Sequence, residues 1–369
     1  MANLGWEDEL SSGARLGERA LSRRARAVVA SAAGWLRLLA RDGDRLWIPC
    51  AEGAAGAPPG GDGLALPRVR LEGGPASGVA AAAEALAWGE SPGVAALRRA
   101  PPPPGRSSAI HGPLVEALWS LPPASPEAAA ACHHRSFALA AAEVLQSERP
   151  GEAGWALAGA RMVSSVGELE RHLAAGGAVA GDGRWVVKAP WSAAGRGRHV
   201  ASRPGELGEP AVRRRVEALL ERSGELLFEP WVDRLADFGA AGLATPEGLR
   251  RVGLHSQQVG DRGAVSAIRL DPELESGERE RLEAGLGAVG ERLAAAGYVG
   301  PFGVDAYRYR APDGRVRFRP LSEVNARMTF GLLAHVLAER IGAPPFPALP
   351  LPPSRGERDA RARPACRRT

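Results

Sequence analysis

The sequence has very little lysine and asparagine. It contains a single lysine, Lys188, among 47 lysines and arginines, and only two asparagines, Asn3 and Asn325. Lysine carries a compact point charge, whereas the arginine guanidinium is a broad planar group with several donors, so the two are not interchangeable. In an arginine-rich chain, the sole lysine and the sole interior asparagine indicate positions where another residue type would not serve.

Other absences exclude whole classes of protein. Three cysteines, Cys50, Cys132 and Cys366, are too few and too scattered for a disulfide framework. There is no apolar run of about 18 residues, which predicts that no segment spans a membrane. The acidic N-terminal residues lack the charged-then-apolar design of a signal peptide. We therefore expect a cytoplasmic protein without a membrane partner.

The basic balance of the chain comes mainly from its end. Residues 354–369 contain six arginines and two acidic residues, which accounts for +4 of the formal net charge of +5. No zinc-finger spacing and no aromatic-plus-basic motif accompanies this segment, so we do not expect a nucleic-acid partner. The whole chain is 45% hydrophobic and 24% charged, which is typical of a soluble globular protein. Its oligomeric state is left open.

The strongest motif lies late in the chain, at Glu323, Asn325 and Arg327. Side chains two apart on a strand share a face, so these three would point the same way. A carboxylate and an amide oxygen are suited to Mg²⁺, and a guanidinium is suited to a phosphate or carboxylate. The strand before it carries a second carboxylate, Asp305, and Asp313-Gly314 predicts a hairpin between the two strands. This hairpin would bring Asp305 near Glu323.

The sole lysine lies beside a glycine-containing loop. Residues 184–188 read as a strand that ends in Lys188, and residues 192–197 form a small-residue loop with Gly195 and Gly197. Such loops let backbone N–H groups approach phosphate oxygens closely. This is not a P-loop, because the lysine precedes the glycines and no helix starts directly after them.

The remaining pattern predicts three regions: a small α/β domain at 1–125, a mixed domain at 126–345, and a flexible tail rich in proline and arginine at 346–369. Periodicity and turn signals predict helices at 24–40, 79–88, 92–99, 127–146, 166–175, 212–222, 278–296 and 332–341. They predict strands at 45–49, 64–71, 161–163, 184–188, 225–232, 251–259, 264–270, 300–309 and 316–318. Cys132, His133 and His134 diverge on a helix and lack a fourth ligand, so we predict no metal there.

In this order, the motifs resemble the ATP-grasp superfamily of carboxylate–amine ligases. The resemblance covers residues 126–342 and rests on four elements. The first is a lysine on a strand before a glycine-rich loop, here Lys188 and residues 195–197. The second is a hinge segment, residues 229–232. The third is an acid on a late strand, Asp305, and the fourth is a Glu-x-Asn-x-Arg element at residues 323–327. It implies an α+β fold in which two lobes enclose ATP, with the small α/β domain in front.

The resemblance also implies roles for individual residues. Lys188 would contact the α and β phosphates of ATP, and the Glu229–Val232 backbone, with Trp231, would receive the adenine. The loop that would cover the β and γ phosphates contains Ser192, Gly195, Arg196 and Gly197. Superfamily members usually have an earlier basic residue, for which Arg135 or Arg161 is available here; we favour Arg135.

The metal and the chemistry follow from the same resemblance. Asp305, Glu323 and Asn325 would hold one or two Mg²⁺ ions, with Mn²⁺ as an alternative, and Arg327 and Lys188 would act on the reacting groups. The expected reaction joins a substrate carboxylate, in a small molecule or a peptide, to an amine. Two alternatives stay open: an ATP-grasp phosphotransferase that does not ligate, and a non-catalytic nucleotide-binding module.

Overall fold

The structure, a computed structural model, describes residues 7, 10, 33–40, 44–48, 66–73, 86–97, 112–176, 183–192, 197–259, 265–341 and 349–350. The strands are β1 (Arg45–Ile48), β2 (Arg70–Gly73), β3 (Arg161–Val163), β4 (Trp185–Lys188), β5 (Arg198–Ala201), β6 (Leu226–Pro230), β7 (Asp233–Thr245), β8 (Gly248–Val259), β9 (Val265–Arg269), β10 (Gly300–Arg310), β11 (Val316–Asn325) and β12 (Leu349–Pro350).

The α-helices are α1 (Pro92–Leu97), α2 (Pro113–Ser120), α3 (Pro126–His133), α4 (Arg135–Glu148), α5 (Val166–Ala174), α6 (Pro210–Ser223), α7 (Ser276–Ala295) and α8 (Phe330–Ile341), with 3₁₀ helices at Gly34–Leu39 and Pro204–Gly208. Helices and strands are mixed along the chain, as expected for an α+β fold. None of the helices described is long and apolar enough to span a membrane.

Two sheets with antiparallel pairing dominate the fold. The large sheet has six strands in the order β11-β10-β7-β8-β9-β12, and the small sheet has four in the order β3-β6-β4-β5. Helix α7 buries Leu282, Leu286, Val289 and Leu293 in the core of the large sheet. This 4-3-4 spacing places the four side chains on one helical face, as the sequence predicts.

The small sheet has its own core, which contains Trp185 from β4, Phe228 from β6, Leu169 from α5 and Val216 from α6. Helix α5 begins as predicted, because the hydroxyl of Ser165 accepts a hydrogen bond from the N–H of Glu168 at 3.1 Å. The two sheets are thus built around separate apolar clusters. Side chains that contact both sheets connect the two clusters.

The predicted helix at 127–146 is divided into α3 and α4. The break lies at His134, whose extended backbone (φ −65°, ψ 137°) ends α3. Its side chain then caps α4, because Nδ1 accepts from the N–H of Ser136 at 3.2 Å. Sequence periodicity does not detect this break because both helices carry apolar residues. The division places Arg135 in the first turn of α4.

The strand predictions differ from the structure in three other places. Of the predicted strand at 64–71, residues 66–69 are not in a strand, and β2 begins only at Arg70. Strand β7, which crosses the middle of the large sheet, was missed, because its alanines and glycines give no strand signal. Strand β11 continues from Val316 to Asn325 and ends there, so the predicted shared face does not extend to Arg327. Arg327 follows the end of the strand, where its N–H donates to the carbonyl of Asn325 at 2.8 Å.

The described N-terminal segments pack on the large sheet's cluster. Trp35 and Leu38 of the first 3₁₀ helix are fully buried with residues of α8 in that cluster, and β1 pairs with β2 in parallel. Of the predicted helix at 24–40, residues 24–32 lie outside the described residues. Of the predicted helix at 79–88, residues 79–85 lie outside them, and residues 86–88 are not helical, so the prediction is wrong there. Within the predicted tail, β12 pairs with β9, and the other residues lie outside the described part.

Candidate active site

One face of the large sheet carries a block of polar side chains in register. Residues paired on adjacent strands point to the same face. One row across β11, β10, β7 and β8 consists of Glu323, Asp305, Gly239 and His255. Asn325 lies in the row on one side of it, paired with Gly303. The hairpin therefore places Asp305 directly opposite Glu323, as the sequence predicts.

The two carboxylates of this row have opposite electrostatic surroundings. Burial, together with the negative charge of Glu323, raises the pKa of Asp305 to about 6. Burial also acts to raise the pKa of Glu323, but the positive charge of Arg135 outweighs it and holds that pKa below its ordinary value. Asp305 accepts a hydrogen bond from the Asn325 amide at 3.0 Å. Since Asn325 uses its nitrogen here, its amide oxygen is the atom left for a cation.

Arg135 connects the large sheet to the loop that follows β4. Its Nη1 donates to Oε2 of Glu323 at 2.7 Å, and its Nε donates to the carbonyl of Ala189 at 3.0 Å. Its Nη2 donates to the carbonyl of Ser192 at 3.0 Å and to the hydroxyl at 3.2 Å. The structure therefore brings Arg135 into the predicted site. Arg161 lies elsewhere, on β3, where it pairs with Glu168 at 3.0 Å.

Lys188 takes part in a buried chain of charges. Its ammonium is hydrogen-bonded to Oε2 of Glu229, whose other oxygen lies 2.7 Å from Nη1 of Arg319. Arg319 in turn donates to the hydroxyl of Tyr307 at 2.9 Å. Glu229 and Arg319 are each 2% exposed. Because Lys188 and Glu229 lie on the small sheet and Arg319 and Tyr307 on the large one, this network also joins the two sheets.

The pKa values in this network show which partner dominates. Burial lowers the pKa of Lys188 to about 8, because the attraction of Glu229 only partly offsets the lost hydration and the nearby arginines oppose the charge. Burial acts to raise the pKa of Glu229, but Arg319 and Lys188 together hold it far below its ordinary value. Glu229 is thus ionised at neutral pH, and Lys188 is a cation that loses its proton unusually easily.

The described ends of the predicted phosphate loop are Ser192 and Gly197. Gly197 has a φ of +61°, and a Cβ there would lie 3.1 Å from Cβ of Ser192 and 3.2 Å from Cβ of Ala189. Glycine is therefore required at this position for both conformation and space. The N–H of Ala189 donates to the carbonyl of Gly197 at 2.8 Å and closes the loop at its base. Gly195 and Arg196 lie outside the described residues.

The predicted adenine segment follows β6. The N–H of Trp231 already donates to the carbonyl of Arg184 at 3.0 Å, so that group is not open to a ligand. The guanidinium of Arg198 lies 6.0 Å from the centre of the Trp231 ring, and Arg198 pairs with Lys188 across β4 and β5. Val232 packs beside Tyr307. Trp231 and Arg198 together form a flat, positively charged surface next to Lys188.

The side chain of Arg327 contacts residues outside the predicted site set. Its Nε is 3.0 Å from a carboxylate oxygen of Glu7, and its guanidinium lies 5.4 Å from the centre of the Trp88 ring. Its Nη1 donates to the carbonyl of Met328 at 2.9 Å. Its charge still lowers the pKa of both Asp305 and Glu323. Arg327 is thus held by the N-terminal segment at the border of the acidic row.

Sequence reasoning missed three residues of this surface. Arg319 balances Glu229, and Gln257 donates its amide to Oδ1 of Asp305 at 2.8 Å. Gly239 lies on β7, between β8, which carries Gln257, and β10, which carries Asp305. Once β8 is recognised as a strand, alternation alone could have placed Gln257 on one face. Its proximity to Asp305 depends on β7, the strand that the sequence does not reveal.

Cys132 and His133 lie at the end of helix α3, and His134 lies between α3 and α4. No group of three or more His, Cys, Asp or Glu side chains is placed to hold a metal ion within the part of the chain that the structure describes. Burial raises the pKa of the Cys132 thiol to about 11, so it is protonated at neutral pH. The predicted Mg²⁺ ligands differ from this segment because they offer oxygen atoms from two carboxylates and one amide: Asp305, Glu323 and Asn325.

Comparisons with known proteins complete this description. No protein-family model and no curated protein matches the chain. Among solved structures, it is similar to the biotin carboxylase domain of 2-oxoglutarate carboxylase from Hydrogenobacter thermophilus, in complex with MgADP, ADP and bicarbonate. That likeness has a TM-score of 0.43 and 13% identity, and it covers 60% of this chain and 48% of the other.

Two further structures have similar values. N5-carboxyaminoimidazole synthetase from Staphylococcus aureus, complexed with ADP, has a TM-score of 0.40 and 11% identity, with 64% of this chain and 59% of the other covered. D-alanyl-alanine synthetase A from Vibrio cholerae has a TM-score of 0.39 and 14% identity, with 60% and 68% covered.

These three proteins are ATP-grasp enzymes, the superfamily that the sequence resembles. The chain spans about half the length of the first of them. With TM-scores below 0.5, such likenesses do not establish an activity for this chain.

Proposed function

We propose that this chain is an ATP-grasp enzyme that uses ATP and Mg²⁺ to join a substrate carboxylate to an amine. The observation that carries the proposal is the position of Arg135, which contacts Glu323 of the large sheet and the Ala189–Ser192 segment after Lys188. Arg135 thus links Glu323, one of the predicted metal ligands, to the described start of the predicted phosphate loop at Ser192. The motifs are far apart in sequence, so their meeting at Arg135 supports a common ligand.

The charges on this surface are suited to a polyphosphate. Lys188 and Arg198 share one face of the small sheet, and burial, followed by the charges of Arg135 and Arg234, lowers the pKa of both. Lys188, Arg135 and Arg234 each contact a carboxylate, and a multiply charged anion would reduce the repulsion that remains among the four cations. Phosphate groups bind most strongly where such charges are partly withdrawn from water. The triphosphate of ATP would place its charge among these four residues.

The residues present also fit Mg²⁺. Asp305, Glu323 and Asn325 offer carboxylate and amide oxygens, the hard donors that this ion takes, and Mg²⁺ normally completes its shell with water and substrate phosphates. The Asn325 amide is oriented so that its nitrogen bonds to Asp305 and its oxygen remains available. Mn²⁺ has similar ligand preferences. A bound ion would neutralise phosphate charge during the transfer.

The proposed reaction has two steps. An oxygen of the substrate carboxylate attacks the γ-phosphorus of ATP, and the bond from that phosphorus to the β–γ bridging oxygen breaks. The products of this step are ADP and an acyl phosphate. The amine nitrogen then attacks the acyl carbon and loses a proton, and the C–O bond breaks to release phosphate. In both steps, Lys188 would hold the α and β phosphates and Arg327 would hold the reacting anion. Positioning and charge stabilisation supply most of the catalysis in phosphoryl transfer.

Thermal unfolding with and without Mg·ATP tests the proposal. A ligand that binds the native state raises the apparent unfolding temperature by mass action. We expect a clear rise for the wild type, and its loss in Glu323→Ala. The matched control is Glu221→Ala, at an exposed position on α6, which should respond like the wild type. An absence of any rise at millimolar Mg·ATP in the wild type would count against the proposal.

A second experiment separates ligation from phosphorylation. Hydroxylamine traps acyl phosphates as hydroxamates, so it should yield a hydroxamate when a carboxylate substrate and ATP are present without an amine. Continued ADP release without hydroxamate would favour a phosphotransferase. Nucleotide binding with no ADP release for any carboxylate would favour a non-catalytic module.

A further inference from the structure

Gln257 reaches a predicted metal ligand from two strands away. Its Nε2 donates to Oδ1 of Asp305 at 2.8 Å, although Gln257 lies on β8 and Asp305 on β10. Adjacent strands lie about 4.8 Å apart, so a side chain must cross roughly 10 Å of sheet to make this contact. β7 runs between the two strands. The contact requires the side chains of β7 to leave the path open.

Gly239 is what leaves it open. This residue is paired with Asp305 on one side and with His255 on the other, so its side chain would stand in the same row. A Cβ at this position would lie 2.5 Å from Nε2 of His255 and 3.1 Å from Nε2 of Gln257. Any larger residue would displace these groups. The glycine is required for close approach of side chains and not for an unusual φ.

The contact completes a clamp on Asp305. Gln257 holds Oδ1 and Asn325 holds Oδ2 at 3.0 Å, so amide donors fix both oxygens. A carboxylate has about four lone-pair positions, so each oxygen keeps one for a cation. Asp305 is therefore fixed in its rotamer before any ion binds. Outer contacts of this kind orient a ligand and contribute to metal affinity.

We propose that Gln257 is a positioning residue for the metal site: through the gap at Gly239 it holds the Asp305 carboxylate in the orientation that binds a divalent cation. This inference rests on the proposed function, because it assumes that Asp305 is a metal ligand. Gln257 itself acts through Asp305 and touches neither the ion nor the substrate. Its effect should therefore appear in the affinity for metal and not in the affinity for the nucleotide alone.

The test uses the full chain and Mn²⁺, whose free concentration is read from its electron paramagnetic resonance signal in the presence of ADP. Gln257→Met keeps the length of the side chain and removes the donor. We expect Mn²⁺ to bind about 10-fold to 100-fold more weakly, as with other outer contacts of metal ligands. ADP affinity without metal should stay within error of the wild type, whereas the unfolding temperature without metal should fall somewhat because the Asp305 carboxylate loses a hydrogen bond.

Gln258→Met is the matched control, since Gln258 is the next residue on β8, is exposed, and points to the opposite face. It should bind Mn²⁺ like the wild type. Gly239→Ala, which obstructs the path on β7, should weaken Mn²⁺ binding as Gln257→Met does. If Gly239→Ala does not fold, Gln257→Met still decides the matter.

Three results would overturn the inference, each in a different way. If Gln257→Met binds Mn²⁺ as tightly as the wild type does, the clamp is not needed for metal binding. This result would leave the proposed function intact. A wild type that binds ADP but no Mn²⁺, or neither, would remove the metal site and with it both this inference and the proposed function. A loss of unfolding temperature without a change in Mn²⁺ affinity would assign Gln257 a purely structural role.

Discussion

Arg135 and Glu323 form an ion pair of 2.7 Å, although they are 188 positions apart in the sequence. Arg135 is 9% exposed and begins helix α4, whereas Glu323 lies near the end of β11. The same guanidinium donates to Ala189 and Ser192. One side chain therefore sets the distance between the acidic row and the base of the predicted phosphate loop.

Replacement of Arg135 should affect both stability and binding. Arg135→Gln leaves Glu323 without its main partner, and loss of one member of such a largely buried pair costs about 3–5 kcal/mol. We expect the lower end of this range, because Glu323 is 27% exposed. Arg135→Lys keeps the charge, but a single ammonium cannot contact Glu323, Ala189 and Ser192 at once. Urea unfolding measures the loss, and Arg222→Gln, at an exposed site on α6, is the control.

Lys188→Ala should weaken ATP binding. A hydrogen bond to a charged group contributes about 1.5–3 kcal/mol, which corresponds to roughly 10-fold to 100-fold in affinity. Lys188→Arg should recover only part of this, because the broad guanidinium must fit a position beside Glu229 that a compact ammonium occupies. Isothermal titration with ATP measures both variants. An unchanged affinity in Lys188→Ala would remove Lys188 from the phosphate site.

ATP affinity should also fall as the pH rises through about 8. Burial lowers the pKa of Lys188 to that value, so its ammonium is charged below pH 8 and loses its proton above it. The attraction for phosphate is therefore present at pH 7 and lost towards pH 9. Titrations across this range should show the decline in the wild type. Lys188→Arg stays protonated throughout and should lack it, whereas an equal decline in both proteins would point to another group.

Asn325→Ala should abolish Mg²⁺-dependent ADP release while the fold stays intact. The substitution removes the amide oxygen proposed for the ion and the donor that holds Oδ2 of Asp305. Asp305→Asn should have a similar effect, since it removes the charge with little change in shape. Magnesium titrations of ADP release measure the loss, and circular dichroism checks the fold. Asp271→Asn, at an exposed position, serves as the control; retained turnover in Asn325→Ala would exclude Asn325 from the ligand set.

Glu7→Gln should destabilise the protein through Arg327. Glu7 is 3% exposed and lies 3.0 Å from the Arg327 guanidinium, whose side chain is 13% exposed. Loss of the carboxylate leaves a mostly buried cation without its counter-charge, which costs about 1–3 kcal/mol. A double-mutant cycle with Arg327→Gln measures the coupling directly. If the two substitutions are additive, the pair contributes nothing to stability.

The local parts of this site follow from short-range signals in the sequence. The hairpin that pairs Asp305 with Glu323 follows from strand alternation and the Asp313-Gly314 turn, and both signals are short-range. The start of α5 at Ser165 follows from capping chemistry, and the strand that ends in Lys188 follows from its apolar run. Each of these depends on residues within about 20 positions of one another.

Which groups face each other depends on the packing of segments that are distant in the sequence. The break at His134 aims Arg135 at Glu323, and the glycine of β7 admits Gln257 to Asp305. The end of β11 at Asn325 directs Arg327 to Glu7 instead of along the acidic face. Sequence patterns report which residues will be buried or exposed, since those tendencies are local. The partner of a buried charge depends on contacts between distant segments, which form only when the sheets and helices pack.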